Sequence, residues 1–231
     1  MVAKFNKRGL QQPELLVAGV SWSRFQYGQR RLFYNITVNV KLINMNDRDQ
    51  KILDAAIDVL SRYGVRKATM GDIAEQAGIS RPTLYARFSN KEEIMAAAMQ
   101  LISDRVVREV KEAWAPATTI SERIDIFLDC AIVRFFDQIK QMPDARDLMA
   151  SYWDQGTEAQ HAIEQGKVDL LAGLFEERKE VLAAKGSSPA RLAELFYASS
   201  SSFKFTAHDA AHLESLLSTL KLSTMVMLGE G

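Results

Sequence analysis

The sequence predicts an all-α protein of about nine helices from residue 46 onward. Three observations support this. Apolar residues recur at helical spacing throughout that region. Cap residues and helix-ending glycines or prolines punctuate the pattern at intervals of one helix. No period-2 run occurs after residue 46, whereas Ile36, Val38, Val40 and Leu42 alternate with Thr37, Asn39 and Lys41 before it. Residues 1–45 are therefore expected to be irregular or partly strand. We read them as an N-terminal extension upstream of a biological start at Met45; the competing reading is a basic arm that helps hold DNA.

The elements follow in order. Ile52, Ala56, Leu60 and Tyr63 form one stripe, ended by Gly64. Thr69 caps a short helix that stops at Gly78, and Ser80 opens another reaching Phe88. Asn90 with Glu93 three residues later caps a long helix carrying Ala98, Ile102, Val106 and Val110 and stopping before Pro116. Thr119 with Glu122 starts the next, with Phe127, Ala131 and Phe135 inward, until Pro143. A short helix with Leu148, Met149 and Tyr152 ends near Gly156. Residues 157–185 form a long helix with Leu170, Leu174, Phe175 and Leu182, closed by Gly186. Ser188-Pro189 starts the next, with Leu192, Leu195, Phe196 and Phe203. The last helix carries Leu213, Leu217, Leu220 and Met227 and ends at Gly229.

Composition bounds the function. The chain has 231 residues, 47% hydrophobic and 25% charged, the proportions of a folded protein rather than a disordered or collagen-like one. A single cysteine, Cys130, leaves no disulfide framework or Cys-rich zinc site and fits a reducing compartment. It reads as a small buried residue, since neighbouring Asp129 would raise its pKa and disfavour a reactive thiolate. No run reaches the roughly 18 apolar residues of a membrane span, so no membrane partner is expected. Lys4, Lys7 and Arg8 followed by the short apolar run Leu15–Val20 mimic a signal peptide too weakly to imply export, and a cytoplasmic protein is expected.

Net charge is zero, from 29 basic and 29 acidic residues, but unevenly spread. Residues 1–45 hold seven basic residues and one acid; residues 94–231 hold 14 basic and 20 acidic. Between them, positions 62–91 carry Arg62, Arg66, Lys67, Arg81, Arg87 and Lys91 against only Asp72 and Glu75. A basic front on an acidic rear is a prior for a polyanion on one side only.

Residues 69–88 read TMGDIAEQAGISRPTLYARF. Two short helices joined by a tight turn at Gly78 are the helix-turn-helix pattern. Ile73, Ala74 and Ala77 let the helices cross closely, and Ile79 and Leu84 pin the second to a core. Arg81, Pro82, Thr83 and Tyr85 are left around its exposed N-terminal half, the part that enters a major groove. The Thr69 hydroxyl, or the N–H groups of the helix it caps, can meet a phosphate, as can Lys91 at the start of the next helix. For Tyr85, core packing and an exposed hydroxyl are compatible readings.

Thr69, Ile73, Ala74, Ala77, Gly78, Ser80, Leu84, Tyr85, Phe88, Asn90, Lys91 and Glu92 match a pattern by which the sequence resembles the TetR family of bacterial transcriptional regulators. The match covers roughly residues 49–95. The resemblance leaves the extension at 1–45 unexplained and implies a DNA-binding domain at 46–93 and a ligand-binding and dimerisation domain at 94–231. It also implies a homodimer on a palindromic operator in double-stranded DNA, released by a small-molecule effector, and a repressor rather than an enzyme. Thr69, Thr83, Tyr85 and Lys91 would then contact the DNA backbone, and Arg81, Pro82 and Thr83 would face base edges. The dimer contact would fall on the last two long helices, with Leu195, Phe196, Leu213, Leu216, Leu217 and Leu220.

Candidate effector residues are the aromatic cluster Phe127, Phe135, Phe136, Met149, Tyr152, Trp153, His161 and Phe175, with Tyr152, Trp153 and His161 as polar handles among apolar walls. Ordinary core packing is the competing reading for each. The sequence shows neither paired cations nor paired carboxylates there, leaving the ligand class open, and no cofactor or metal is expected. Two other functions are weighed. His208-Asp209-Ala210-Ala211-His212 resembles a zinc-protease pattern with Asp for Glu, but no third ligand is evident. A protein-interaction module that has lost DNA reading is the other. Ser199–Ser202 either breaks a helix or allows another helix to approach closely.

Overall fold

The computed structural model describes residues 47–141 and 158–230; of residues 141 and 158–162 only the backbone is described. The expected irregular segment 1–45, the short helix with Leu148, Met149 and Tyr152, and Trp153 lie outside the described residues. Among those described, all regular structure is helical: α1 Asp47–Lys67, α2 Met70–Gln76, α3 Arg81–Tyr85, α4 Lys91–Trp114, α5 Ile120–Leu128, α6 Arg134–Gln141, α7 Glu158–Phe175, α8 Lys179–Ala184, α9 Pro189–Thr206 and α10 Ala210–Leu228. None of these is long and apolar enough to cross a membrane.

The caps fall where the sequence places them. Thr69, Ser80, Asn90, Thr119 and Ser188 each accept a hydrogen bond from the backbone N–H three residues on, as Asp209 does from His212. Gly64 does interrupt α1, with φ 76° and ψ 160°. Three glycines with positive φ close helices through one device. After α2, the Gly78 N–H bonds Glu75 O and the Ile79 N–H bonds Ala74 O. The same paired pattern recurs at Gly186–Ser187 and Gly229–Glu230. Each satisfies carbonyls that a helix end otherwise leaves bare.

Two expected helices are divided. The one beginning at Thr119 passes through a π-helical turn, Asp129–Val133, in which the Arg134 N–H reaches Asp129 O. The one expected over 157–185 tightens to a 3₁₀ turn at Glu176–Arg178, separating α7 from α8. Conversely, the serine run does not break α9: Ser200 and Ser201 are buried within an unbroken helix. Small side chains there allow the close packing of α9 on α7.

Apolar burial forms two clusters. The first joins Ile52, Leu53, Ala56, Ile73, Leu84, Phe88, Ile94, Ala98 and Leu101 from α1 to the first half of α4. The second joins Val110, Ile124, Phe127, Ile132, Leu171, Phe175, Leu182, Phe196, Leu213 and Leu217. Helix α4 contributes to both, so the first core reaches eight residues past the sequence boundary at 93. Tyr63 and Leu195, expected to face inward, are 46% and 62% exposed. Cys130 is buried, and burial pushes its thiol up to about 11, with Glu109 and Asp129 adding and Arg134 opposing.

Candidate nucleic-acid interface

Helix α2 is fixed at its N-terminus by a reciprocal cap. The Thr69 N–H and hydroxyl both donate to Asp72 Oδ2, at 2.9 and 2.7 Å, and the Asp72 N–H donates to Thr69 Oγ1 at 3.2 Å. These bonds hold the Asp72 carboxyl below the usual carboxylate range, with Arg81 adding to the effect. The Thr69 hydroxyl hydrogen is therefore engaged within the chain. The N–H groups of Met70 and Gly71 are those for which helix geometry supplies no acceptor.

The second helix, α3, is shorter than the expected span to Phe88. It ends at Tyr85, and Phe88 folds back with its N–H on Leu84 O. Ser80 caps it, its Oγ accepting from the Thr83 N–H at 3.3 Å and lying 2.8 Å from Thr83 Oγ1. Leu84 is fully buried and Ile79 packs beside it, so α3 is anchored by one edge. Its other edge is open: Arg81 and Pro82 are exposed, Thr83 partly so, and Tyr85 is 53% exposed. Of the two readings of Tyr85, outward presentation holds.

The Arg81 guanidinium lies across the start of α2. A Cβ placed at Gly71 would come within 2.5 Å of Arg81 Nη2. Glycine at 71 thus leaves room for an arginine that sequence spacing alone did not connect to it. Arg87 clamps the far end of α3. Its Nε donates to Asp49 Oδ1 at 2.8 Å and its Nη2 pairs with Asp49 Oδ2, and the pair raises the Arg87 pKa. The fork geometry joins the first turn of α1 to the segment after α3.

Lys91 is placed differently from expectation. Its Nζ donates to Val65 O at 2.7 Å and Ala68 O at 3.1 Å. Two of its three ammonium hydrogens are committed to carbonyls beyond the Gly64 break. Lys91 thereby ties the start of α4 to the end of α1. The basic balance over 62–91 is accordingly less available than its count suggests, since Arg87 and Lys91 have internal partners.

Of the other sequence candidates, Phe127 and Phe175 are fully buried core residues, joined through Phe196 at ring-centroid distances of 6.3 and 6.2 Å. Tyr152 and Trp153 lie outside the described residues, as does the His161 side chain. Among the expected dimer residues, Phe196, Leu213 and Leu217 are buried in the chain's own second core, Leu216 and Leu220 are partly buried, and Leu195 is exposed. The helical stripe was legible, but its period does not say whether an apolar residue faces its own core or a partner. His208 and His212 stack at 4.0 Å, and Asp209 caps α10. Among the described residues no group of three potential ligands could hold a metal.

The short, capped and edge-anchored α3 after a tight turn defines a helix-turn-helix protein. Residues 52–98 match the family described as "Bacterial regulatory proteins, tetR family". The activator FasR of Mycolicibacterium smegmatis is 36% identical over 95 residues, which is 41% of this chain and 42% of that protein. The nicotine-responsive repressor HdnoR of Paenarthrobacter nicotinovorans is 38% identical over 68 residues, 29% of this chain and 35% of its own. The chain thus spans well under half the length of the curated relatives it matches. A fold comparison reaches further: the fatty acid degradation regulator FadR of Bacillus halodurans superposes with a TM-score of 0.57 at 19% identity, covering 78% of this chain and 95% of that one. That likeness concerns fold alone. The similarity to the tetR family of bacterial regulatory proteins is thus carried by residues 52–98.

Proposed function

We propose that the chain is a ligand-responsive transcriptional repressor that binds a palindromic operator as a cytoplasmic homodimer. The observation that carries the reading is α3. A five-residue helix, capped at one end and clamped at the other, presents Arg81, Pro82, Thr83 and Tyr85 from a rigid base. Arg81 near the helix start can reach a guanine edge in bidentate fashion, and Thr83 and Tyr85 can reach phosphate or sugar. The N–H groups at the start of α2 beside Thr69 add a phosphate site. Two such helices must lie about one DNA turn apart, roughly 34 Å, or a multiple of it.

Dimerisation is proposed on α9 and α10. Leu195, Leu222 and Val226 are large and exposed on these helices. On α10, Ala211, Ser215, Ser218, Thr219, Leu222, Ser223 and Val226 form a face without a charged residue. Leu216 and Leu220 flank it. The second core, roughly residues 94–231, is the proposed effector domain.

The test is a gel shift on the DNA upstream of the chain's own gene, with Arg81→Ala and Tyr85→Ala variants. Loss of binding in both, with the fold retained, supports the assignment. Unaltered binding in both refutes it and favours a protein-interaction module. A promoter reporter that rises when the gene is deleted identifies repression; one that falls identifies activation.

A further inference from the structure

The second core contains a polar patch that no sequence pattern announced. On α9, Tyr197, Ser201 and Lys204 fall at i, i+4 and i+7, along one stripe. On α7, Glu164 and Lys167 fall one turn apart. Lys167 is buried, 8% exposed, and its Nζ lies 3.2 Å from Glu164 Oε2 and 3.3 Å from the Tyr197 hydroxyl. Lys167 is therefore neutralised and satisfied.

Lys204 is not. Its Nζ stands 4.6 Å above the Phe135 ring and 5.9 Å from that of Phe205. Its side chain is partly exposed, and no hydrogen bond or ion pair joins it to another described residue. Burial pushes its pKa down to about 8, Glu164 opposes the shift and Lys167 adds to it. One turn away, Ser201 is 4% exposed and its buried Oγ has no partner. A cation held over an aromatic ring and an orphaned buried hydroxyl stand on one helix stripe, and a buried hydroxyl without a partner is unfavourable. Together they are the donor set that a carboxylate would complete.

Among the described residues, Lys167, Lys204 and Glu164 leave one net positive charge, which favours a single negative charge. A doubly charged phosphoryl group would overcompensate and would face Glu164. The surroundings fix the rest of the molecule. Lys204 rests on Phe135, and Tyr197 joins Phe127 at 6.4 Å in an edge-on contact that leads into the aromatic core.

We propose that Lys204 and Ser201, backed by Lys167, recognise the carboxylate of a monoanionic organic acid whose apolar body packs on the adjoining rings. This deepens the effector reading of the second core and rests on it. The two lysines stand 37 residues apart on different helices, which is why spacing did not reveal them.

The test is ligand-induced thermal stabilisation of the full-length protein without DNA. The probes are benzoate, 2-naphthoate and decanoate, each against its own neutral amide. The expected result is saturable stabilisation by at least one acid, with its amide about tenfold weaker or more, as loss of a charge-assisted hydrogen bond implies. Lys204→Met, which keeps the apolar stem, should abolish the preference for acid over amide while the protein stays folded. Ser201→Ala should reduce it. Failure of all three acids at millimolar concentration overturns the proposal, as does an acid preference that survives Lys204→Met. Operator retention is read separately. Acid binding without operator release would leave the site standing and remove the switch; intact operator binding with no acid bound would do the reverse.

Discussion

Lys91→Met separates two roles for one residue. If Lys91 is a structural tie, its loss is felt without DNA. Its ammonium makes two charge-assisted hydrogen bonds to backbone carbonyls, at 2.7 and 3.1 Å. Such bonds contribute roughly 1.5–3 kcal/mol each when well buried. Lys91 is only partly buried, and water can replace part of what is lost, so the net cost of removal is about 1–2 kcal/mol. Methionine retains most of the apolar stem, so packing changes little. Amide hydrogen exchange in the DNA-free protein is the suitable assay, because it reports α1, α2 and α3 apart from the second core. Protection across the end of α1 and the start of α4 should fall about tenfold. Unchanged protection would refute the tie. If operator affinity then fell and the slope of log affinity against log salt flattened by about one, Lys91 would be a phosphate contact instead.

Four further outcomes are expected. Gly78→Ala should lower stability by about 1–2 kcal/mol, since φ is +67° and no atom crowds a Cβ there, and Gly78→Asn should recover part of it in thermal melts; a loss well beyond this would mean the turn is crowded after all. Leu222→Glu with Val226→Glu should halve the native mass by light scattering and weaken operator binding, whereas Leu217→Ala should keep the mass and cost about 2–5 kcal/mol of stability. Cys130 should resist iodoacetamide in the native protein at neutral pH and react once unfolded, as a buried thiol with a raised pKa must; rapid native alkylation would contradict its burial. Lys204 has a folded pKa near 8, below its ordinary 10.5, so between these values the unfolded chain binds more protons and stability from this group rises with pH. Urea unfolding of wild type against Lys204→Met should show that difference narrowing from pH 8 to 10.5, and a constant difference would contradict it.

The sequence made legible whatever is local. Caps at Thr69, Ser80, Asn90, Thr119 and Ser188 each concern one residue and the backbone a turn away, so type and spacing suffice. Gly78 is equally local, because a helix closed by that hydrogen-bond pattern needs a left-handed residue. What escaped reading is what depends on tertiary neighbours. Leu195 and Leu217 belong to similar apolar stripes, yet one faces outward and the other lies in the core. Lys91 had a phosphate role by pattern, but the carbonyls of Val65 and Ala68 lie more than twenty residues earlier. The π-helical turn at 129–133 carried no signal in composition. Arg81 beside Gly71 was missed because the contact bridges the two helices of the motif.

These tertiary contacts also suggest how the two cores communicate. Helix α4 is packed into both, through Ile94, Ala98 and Leu101 at one end and Val110 at the other. Where α7 crosses it, the Ser103 hydroxyl donates to Ile163 O at 2.6 Å, and Gly166 lies against Val107. Ile163 directly precedes Glu164 and Gly166 directly precedes Lys167, so the polar patch and the α4 contact share one turn of α7. At mid-helix, Arg105 reaches Asp54 on α1 at 2.6 Å, and Lys91 holds the end of α1. If an anion enters beside Lys204 as proposed, a shift of α7 would meet α4 first, and α4 is bonded at two points to α1 and the residue that follows it. An effector moves this equilibrium only by its difference in affinity for the two arrangements. A lysine that no carboxylate among the described residues pairs with directly supplies such a difference, because its cost is relieved in whichever arrangement brings the ligand carboxylate within reach.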